Sequence, residues 1–235
     1  MKKVSTRRND TKEIWGCAIP RVVEVFRKPL QNTKQLTERA KTRNRQTQTG
    51  RWDFPFRIIS SEHENWLVQL ADETFGWIKK KNVRITNTQN YWSKIKRPTP
   101  NKTINTPRPT RARTKRTLQK FTKTPYLWGG TTVDGIDCSG FVQKVFYEWT
   151  NVMLNRNSRQ QKKYGIRVKQ ALLRPFDLVF LFHQKSKHSH VGIYLDDKIY
   201  HFCLDKHGLS CEPLMELKKR YLYSTARRIF NFPNA

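Results

Sequence analysis

The chain has 235 residues, 36% hydrophobic and 12% aromatic with seven Trp, which is enough to bury a core and too much for wholesale disorder. Its 47 Lys and Arg against 18 Asp and Glu leave a formal charge of +29, which draws polyanions without choosing among nucleic acid, lipid headgroups and acidic wall polymers. Nowhere do about 18 apolar residues run together, so no membrane-spanning helix is expected; the basic start MKKVSTRRNDTKEIWGCAIP reaches no apolar stretch of signal-peptide length, so a cytoplasmic protein is expected, with the cell envelope or secretion as the alternative.

Residues 1–17 read as an N-terminal segment. From 18 to 88, short β-type runs alternate with turns: VVEVF, FPFRIIS, NWLVQL, the FGWI run and NVRI, the pattern of a small antiparallel barrel. Between the first two, QNTKQLTERAKTRNRQTQTG has no hydrophobic face and predicts a long exposed loop. Residues 89–117 form a basic linker in which Pro98, Pro100, Pro107 and Pro109 bar a continuous helix, and NTPRPTRARTKR favours an extended, solvated spacer. That stretch suits a polyanion, but a plain spacer fits it better and nucleic acid is not expected as a partner.

Residues 118–235 read as a compact α+β domain. After Cys138 the apolar Phe141, Val142, Val145, Phe146 and Trp149 recur at helical spacing and predict one buried stripe. Strands follow in FDLVFLF, HVGIYL, KIYHFC and YSTARRIF.

The four cysteines, Cys17, Cys138, Cys203 and Cys211, carry no sign of a disulfide framework, so reduced thiols are expected. Cys138 stands where the predicted helix begins, and a helix N-terminus favours the thiolate, the nucleophilic form. Gly135 and Gly140 around it allow a sharp turn and close packing; the competing reading is a buried structural cysteine. A thiol nucleophile needs a histidine base with an orienting partner behind it. In HVGIYL, alternation sets Val191, Ile193 and Leu195 on one buried face and His190, Gly192 and Tyr194 on the other; if the next strand pairs with it, His201 stands behind His190. His183, His188 and His207 read as solvated loop residues. The grouping of His201, Cys203, His207 and Cys211 is chemically able to hold zinc, but it lacks tightly spaced ligand pairs, and neither a metal nor a cofactor is expected.

The stretch TPYLWGGTTVDGIDCSGFVQKVF strongly resembles the nucleophile region of NlpC-type cysteine peptidases, with Pro-Tyr-x-Trp-Gly-Gly followed by Asp-Cys-Ser-Gly. LNRNSRQQKKYG, RPFDLVFL, SHVGIYL and KIYHF are similar to later parts of the family pattern, in the same order, so the resemblance spans about Lys120 to Phe230. It implies a papain-like fold, a nucleophile helix packed on an antiparallel sheet, with Cys138 as nucleophile, His190 as base and His201 as orienter. It also implies that Tyr126 supports the oxyanion, that Asp137 and Ser139 meet the amino end of the substrate, and that Arg156 and Ser158 line the same cleft. The family's Pro-Gly-Asp is here Pro175-Phe176-Asp177, and its Leu-Pro-Arg is Leu154-Asn155-Arg156. The N-terminal barrel resembles bacterial SH3-like modules through Trp66 to Gln69 and Gly76 to Ile78. The activity implied is a cysteine endopeptidase acting on murein peptides, at the γ-D-glutamyl to diaminopimelate bond of peptides with a free amino-terminal L-alanine. The alternative is a non-catalytic polyanion- or wall-binding protein with a relic peptidase domain.

Overall fold

In the computed structural model, residues 13–30, 44–50, 53–86 and 91–232 are described; the first twelve residues, 31–43 of the predicted loop, 51–52, 87–90 around the start of the linker and 233–235 lie outside them. The N-terminal sheet holds β1 (Ile14–Ala18), β2 (Val23–Phe26), β3 (Arg45–Thr49), β4 (Phe56–Glu62), β5 (Asn65–Gln69), β6 (Phe75–Lys79) and β7 (Val83–Thr86). Their order is β3-β2-β6-β5-β4-β1-β7, antiparallel throughout. Alternating apolar side chains, Val23, Val25, Phe56, Ile58, Val68 and Ile78, meet in its core.

All five predicted runs are strands, and two further strands join them. β1 lies between β4 and β7, so the sheet takes in the end of the segment expected at 1–17. β3, RQTQT, closes the segment expected as an exposed loop, and Arg45, Thr47, Gln48 and Thr49 in it are buried. Hydrophobic periodicity cannot report such a strand, because its buried side chains are polar. Arg45 pairs with Glu24 on the neighbouring β2, and further partners lie in the second half of the chain: Arg45 also donates to the carbonyl of Trp128, and Gln48 accepts from the N–H of Thr131. The end strands β3 and β7 do not pair with each other among the described residues, so the expected closed barrel is an open sheet here.

The second half contains β8 (Ile104–Asn105), α1 (Arg111–Gln119), β9 (Thr131–Thr132), β10 (Gly135–Ile136), α2 (Cys138–Thr150) and α3 (Ser158–Gln161). It continues with β11 (Ile166–Val168), β12 (Leu178–His183), β13 (Ser189–Leu195), β14 (Lys198–Cys203), β15 (Gly208–Pro213), α4 (Leu214–Lys218), β16 (Tyr221–Arg228) and β17 (Phe230–Asn231). An antiparallel sheet runs β11-β16-β12-β13-β14-β15. The predicted stripe of α2 packs on one face, with Phe141, Val142, Val145 and Phe146 against Val191, Ile193 and Phe202. The other face is covered too, by Leu214 and Leu217 of α4 over Val179, Leu181 and Ile199. His190, expected to face away from the core, is buried.

The stretch expected as a solvated spacer is docked. The carbonyls of Lys96 and Thr99 accept from Met153 and Gly165, and β8 pairs in parallel with β17. Helix α1 starts after the last of the linker prolines, capped by Thr110, whose side chain accepts from the N–H of Arg113. Phe176 takes φ of 75°, the left-handed region where the family has glycine, and its ring packs with Trp149 and Phe232 under the guanidinium of Arg108.

Candidate active site

Helix α2 begins at Cys138 because Asp137 caps it: the carboxylate accepts from the N–H of Gly140 at 2.8 Å and from Ser139 Oγ at 3.0 Å. A Cβ at residue 140 would stand 2.4 Å from the carbonyl oxygen of Gly130, so only glycine lets the loop carrying Tyr126 and Trp128 lie against the start of the helix. Asp137 also accepts from the N–H of Gly129 and from a two-pronged fork of Arg156, at 2.9 and 2.7 Å. Arg156 spends its remaining donors on Ser139 Oγ, the carbonyl of Gly130 and, across to β3, Thr47 Oγ1. Arg156 is expected, by the resemblance, to line the cleft. It lies beneath instead, 1% exposed, because the buried carboxylate of Asp137 draws its guanidinium inward.

Cys138 lies on two adjoining cavities. One, of about 470 Å³, is lined by Arg27, Tyr126, Asp137, Cys138, Ser139, Ser158, Arg159, His188 and others. The other, of about 600 Å³, is lined by Tyr126, Leu127, Cys138, His183, His188, His190, Leu204, Tyr221 and others. Sulfur and imidazole thus share a groove, and Tyr126 borders both halves of it. Ser158 is buried and donates to Ser189 Oγ at 2.9 Å, which joins α3 to the start of β13.

Behind His190, its Nε2 lies 2.8 Å from Nδ1 of His201, and Nε2 of His201 lies 3.2 Å from Oε1 of Glu212. The Arg220 guanidinium bonds both oxygens of Glu212, at 2.8 and 3.0 Å. Gly192 is required here: a Cβ on it would fall 2.4 Å from Ile199 Cγ2 and 3.0 Å from His201 Cβ, forcing β13 and β14 apart. The ring of Tyr221 stacks on His190 at 4.8 Å. Nothing local in the sequence marks Glu212, Arg220 and Tyr221, since their place depends on β15 pairing with β14 and β16 with β12. One further expectation is corrected: His183 is not a loop residue but ends β12, half-buried, with its ring edge-on to Tyr221. His188 is an exposed loop residue, as expected, and its ring contacts Trp128 at the cleft. Of the zinc grouping weighed above, only His201 and Cys203 come together, with Glu212 as the third member, all within 4.8 Å. The Arg220 guanidinium already supplies the positive charge at that carboxylate.

The electrostatics reverse one expectation. Burial and the neighbouring Asp137 push the Cys138 thiol up to about 12, outweighing the backbone N–H groups of Val191 and Ser139. The cap carboxylate of Asp137, rather than the sulfur, takes the favourable end of the helix. Burial, helped by His201, holds His190 well below the usual imidazole range, so the resting pair is thiol and neutral imidazole. Burial lowers His201 to about 4 against the opposing pull of Glu212. The unfolded chain titrates this group near 6.5. Between pH 6.5 and about 4 the unfolded state therefore binds the extra proton, and stability is lost as the pH is lowered through that window, by ~3 kcal/mol from this residue. Urea midpoints at pH 7 and pH 4.5 check this: His201→Gln should lose visibly less stability than the parent on acidification, and equal losses would rule the assignment out.

Residues 123–228 match the model of the NlpC/P60 family. Over 106 residues the chain is 37% identical to a murein DD-endopeptidase MepS/murein LD-carboxypeptidase of Escherichia coli K12, covering 45% of this chain and 56% of that one. A probable endopeptidase of Haemophilus influenzae is 41% identical over 80 residues, 33% of this chain and 50% of that one. A γ-D-glutamyl-L-lysine dipeptidyl-peptidase of Bacillus cereus is 29% identical over 142 residues, 60% of this chain and 38% of that one. The chain spans about half the length of the first two. Among solved structures, NlpC1 of Trichomonas vaginalis aligns with 97% of this chain and 96% of its own at a TM-score of 0.50 and 13% identity, a likeness of fold.

Proposed function

Taking residues 123–228 as an NlpC/P60 domain, we propose that the chain is a cysteine endopeptidase that hydrolyses bacterial cell-wall peptides at the γ-D-glutamyl to diamino-acid bond. The observation that carries this reading is the common groove of Cys138 and His190, with His201 hydrogen-bonded behind the base. As the substrate carbonyl arrives, the thiol proton passes to Nδ1 of His190 and the sulfur attacks, so both charges form together in a site where neither group ionises alone. The backbone N–H of Cys138 and the hydroxyl of Tyr126 receive the oxyanion. Burial and the nearby Cys138 and Asp137 push the Tyr126 hydroxyl far above its ordinary range, so it stays a donor. His190 then protonates the leaving amine, and water releases the acyl group.

The roles of the two cavities follow from that last transfer. The leaving amine must lie beside His190, in the larger cavity, so the acyl residue occupies the smaller one. There the Asp137 charge is matched by Arg156. Arg159 has no hydrogen-bonded partner among the described residues, and Arg27 bonds only the amide oxygen of Gln46. Two unmatched guanidinium groups favour an acyl residue with a free carboxylate, which a γ-linked glutamate has and an alanine lacks. A free amino-terminal L-alanine completes the substrate, its ammonium meeting Asp137 and Ser139. We read the N-terminal sheet as an SH3-like module at 18–88 whose strand β3 walls the cleft, followed by a connecting stretch at 89–117 and the peptidase domain at 118–235.

Mass analysis of a digest of L-Ala-γ-D-Glu-diaminopimelate should find L-Ala-D-Glu and free diaminopimelate, with KM raised about tenfold by amino-terminal acetylation, the size of one lost charge-assisted contact. Cleavage at any other bond, or no cleavage, would remove this specificity.

A further inference from the structure

We propose that Glu212, clamped by Arg220, is a positioning residue that fixes which nitrogen of each histidine carries the proton, and so makes His190 a base toward the cleft. This rests on the peptidase reading above.

An ionised carboxylate only accepts hydrogen bonds, so at 3.2 Å from Glu212 Oε1 the Nε2 of His201 must carry hydrogen. A neutral imidazole has one N–H, so Nδ1 of His201 is then an acceptor. The nitrogen facing it at 2.8 Å, Nε2 of His190, must donate. Nδ1 of His190 is left with its lone pair, the form that can take a proton from Cys138. Running the chain the other way would point a lone pair of His201 at the carboxylate unless Glu212 were protonated. A protonated Glu212 would give up the ion pair with Arg220, whose Nη2 donates to both of its oxygens.

During attack the thiol proton adds to Nδ1 of His190 while its Nε2–H goes on donating to His201. No proton moves to Glu212, whose negative charge, two hydrogen bonds away, favours the imidazolium as it forms. Geometry adds to this. The two histidine rings are nearly perpendicular, at 89°, and Tyr221 stacks on His190 from β16, so the base has little room to turn and correct a wrong tautomer.

Two readouts test the proposal. Imidazole ¹⁵N shifts of the Cys138→Ala protein at pH 7 report tautomers whether or not the chain hydrolyses anything; the expected pattern is Nε2–H on both His190 and His201. Finding His190 protonated on Nδ1 would overturn the proposal and leave the peptidase reading standing. The second is Glu212→Gln, whose amide can offer either an acceptor or a donor to His201. It should give mixed tautomers and lower kcat about 10²-fold with KM changed less than twofold. A kcat within twofold of the parent, or a single unchanged tautomer in the variant, would equally overturn it.

Discussion

Cys138→Ala is expected to lower kcat/KM on the murein tripeptide by ~10⁴-fold or more, because removing a nucleophile that acts as a unit with its base removes the whole covalent route. The fold should survive. Cys138 contributes one sulfur to a cluster in which Phe141, Val142, Phe146 and Phe202 make the bulk of the packing, and the cap at Asp137 is untouched. Peptide affinity should stay within a few-fold, since the acyl-side groups Arg27, Arg159 and Ser139 do not depend on the sulfur. Steady-state kinetics and calorimetric binding on the same sample separate these effects. The rival view, a relic that binds polyanions, predicts no turnover to lose. Against it stands the groove that Cys138 and His190 share, with His201 and Glu212 hydrogen-bonded in line behind His190.

Arg156→Met is expected to destabilise the chain by about 3–5 kcal/mol, the range for removing one partner of a buried ion pair. The guanidinium is 1% exposed and donates to Asp137, Ser139, Gly130 and Thr47, so a side chain of similar volume leaves the Asp137 carboxylate charged and without its main partner. Thermal unfolding should fall by roughly 10 °C. The double change Arg156→Met with Asp137→Asn should recover part of the loss by removing the stranded charge. Arg156→Lys should recover little, because a single ammonium cannot span both carboxylate oxygens. If Arg156→Met unfolds at the parent temperature, the pair is not what anchors the start of α2. Because Thr47 shares this guanidinium, the same variant should also loosen β3 from the cleft, seen as faster amide exchange at Arg45–Thr49.

Local signatures in the chain give positions rather than roles. The helical stripe places Cys138 at a helix start and strand alternation places His190 opposite Val191, but it is the resemblance to NlpC-type peptidases that singles out His190 and His201 among six histidines. The α2 helix and the strands of both sheets with apolar alternation were readable from those local signatures. What failed to show was whatever depends on pairing between distant segments. β3 buries polar residues that bond across more than 80 positions, Gln48 to Thr131 and Thr47 to Arg156, and nothing in RQTQT hints at either. Glu212 and Arg220 matter only because β15 and β16 flank β14 and β12. The expected state of the sulfur failed for another reason. A helix N-terminus does favour a thiolate, but here that end is claimed by Asp137, and burial acts in the opposite direction with greater effect.

The central claim is that Cys138 forms a covalent bond to the substrate's acyl group. Rapid acid quenching during turnover of L-Ala-γ-D-Glu-diaminopimelate, followed by peptide mapping by mass spectrometry, tests it most directly. The account predicts an L-Ala-D-Glu thioester on the peptide that carries Cys138. The same acyl group on a different residue, or undiminished turnover by protein whose Cys138 is fully alkylated, would contradict it.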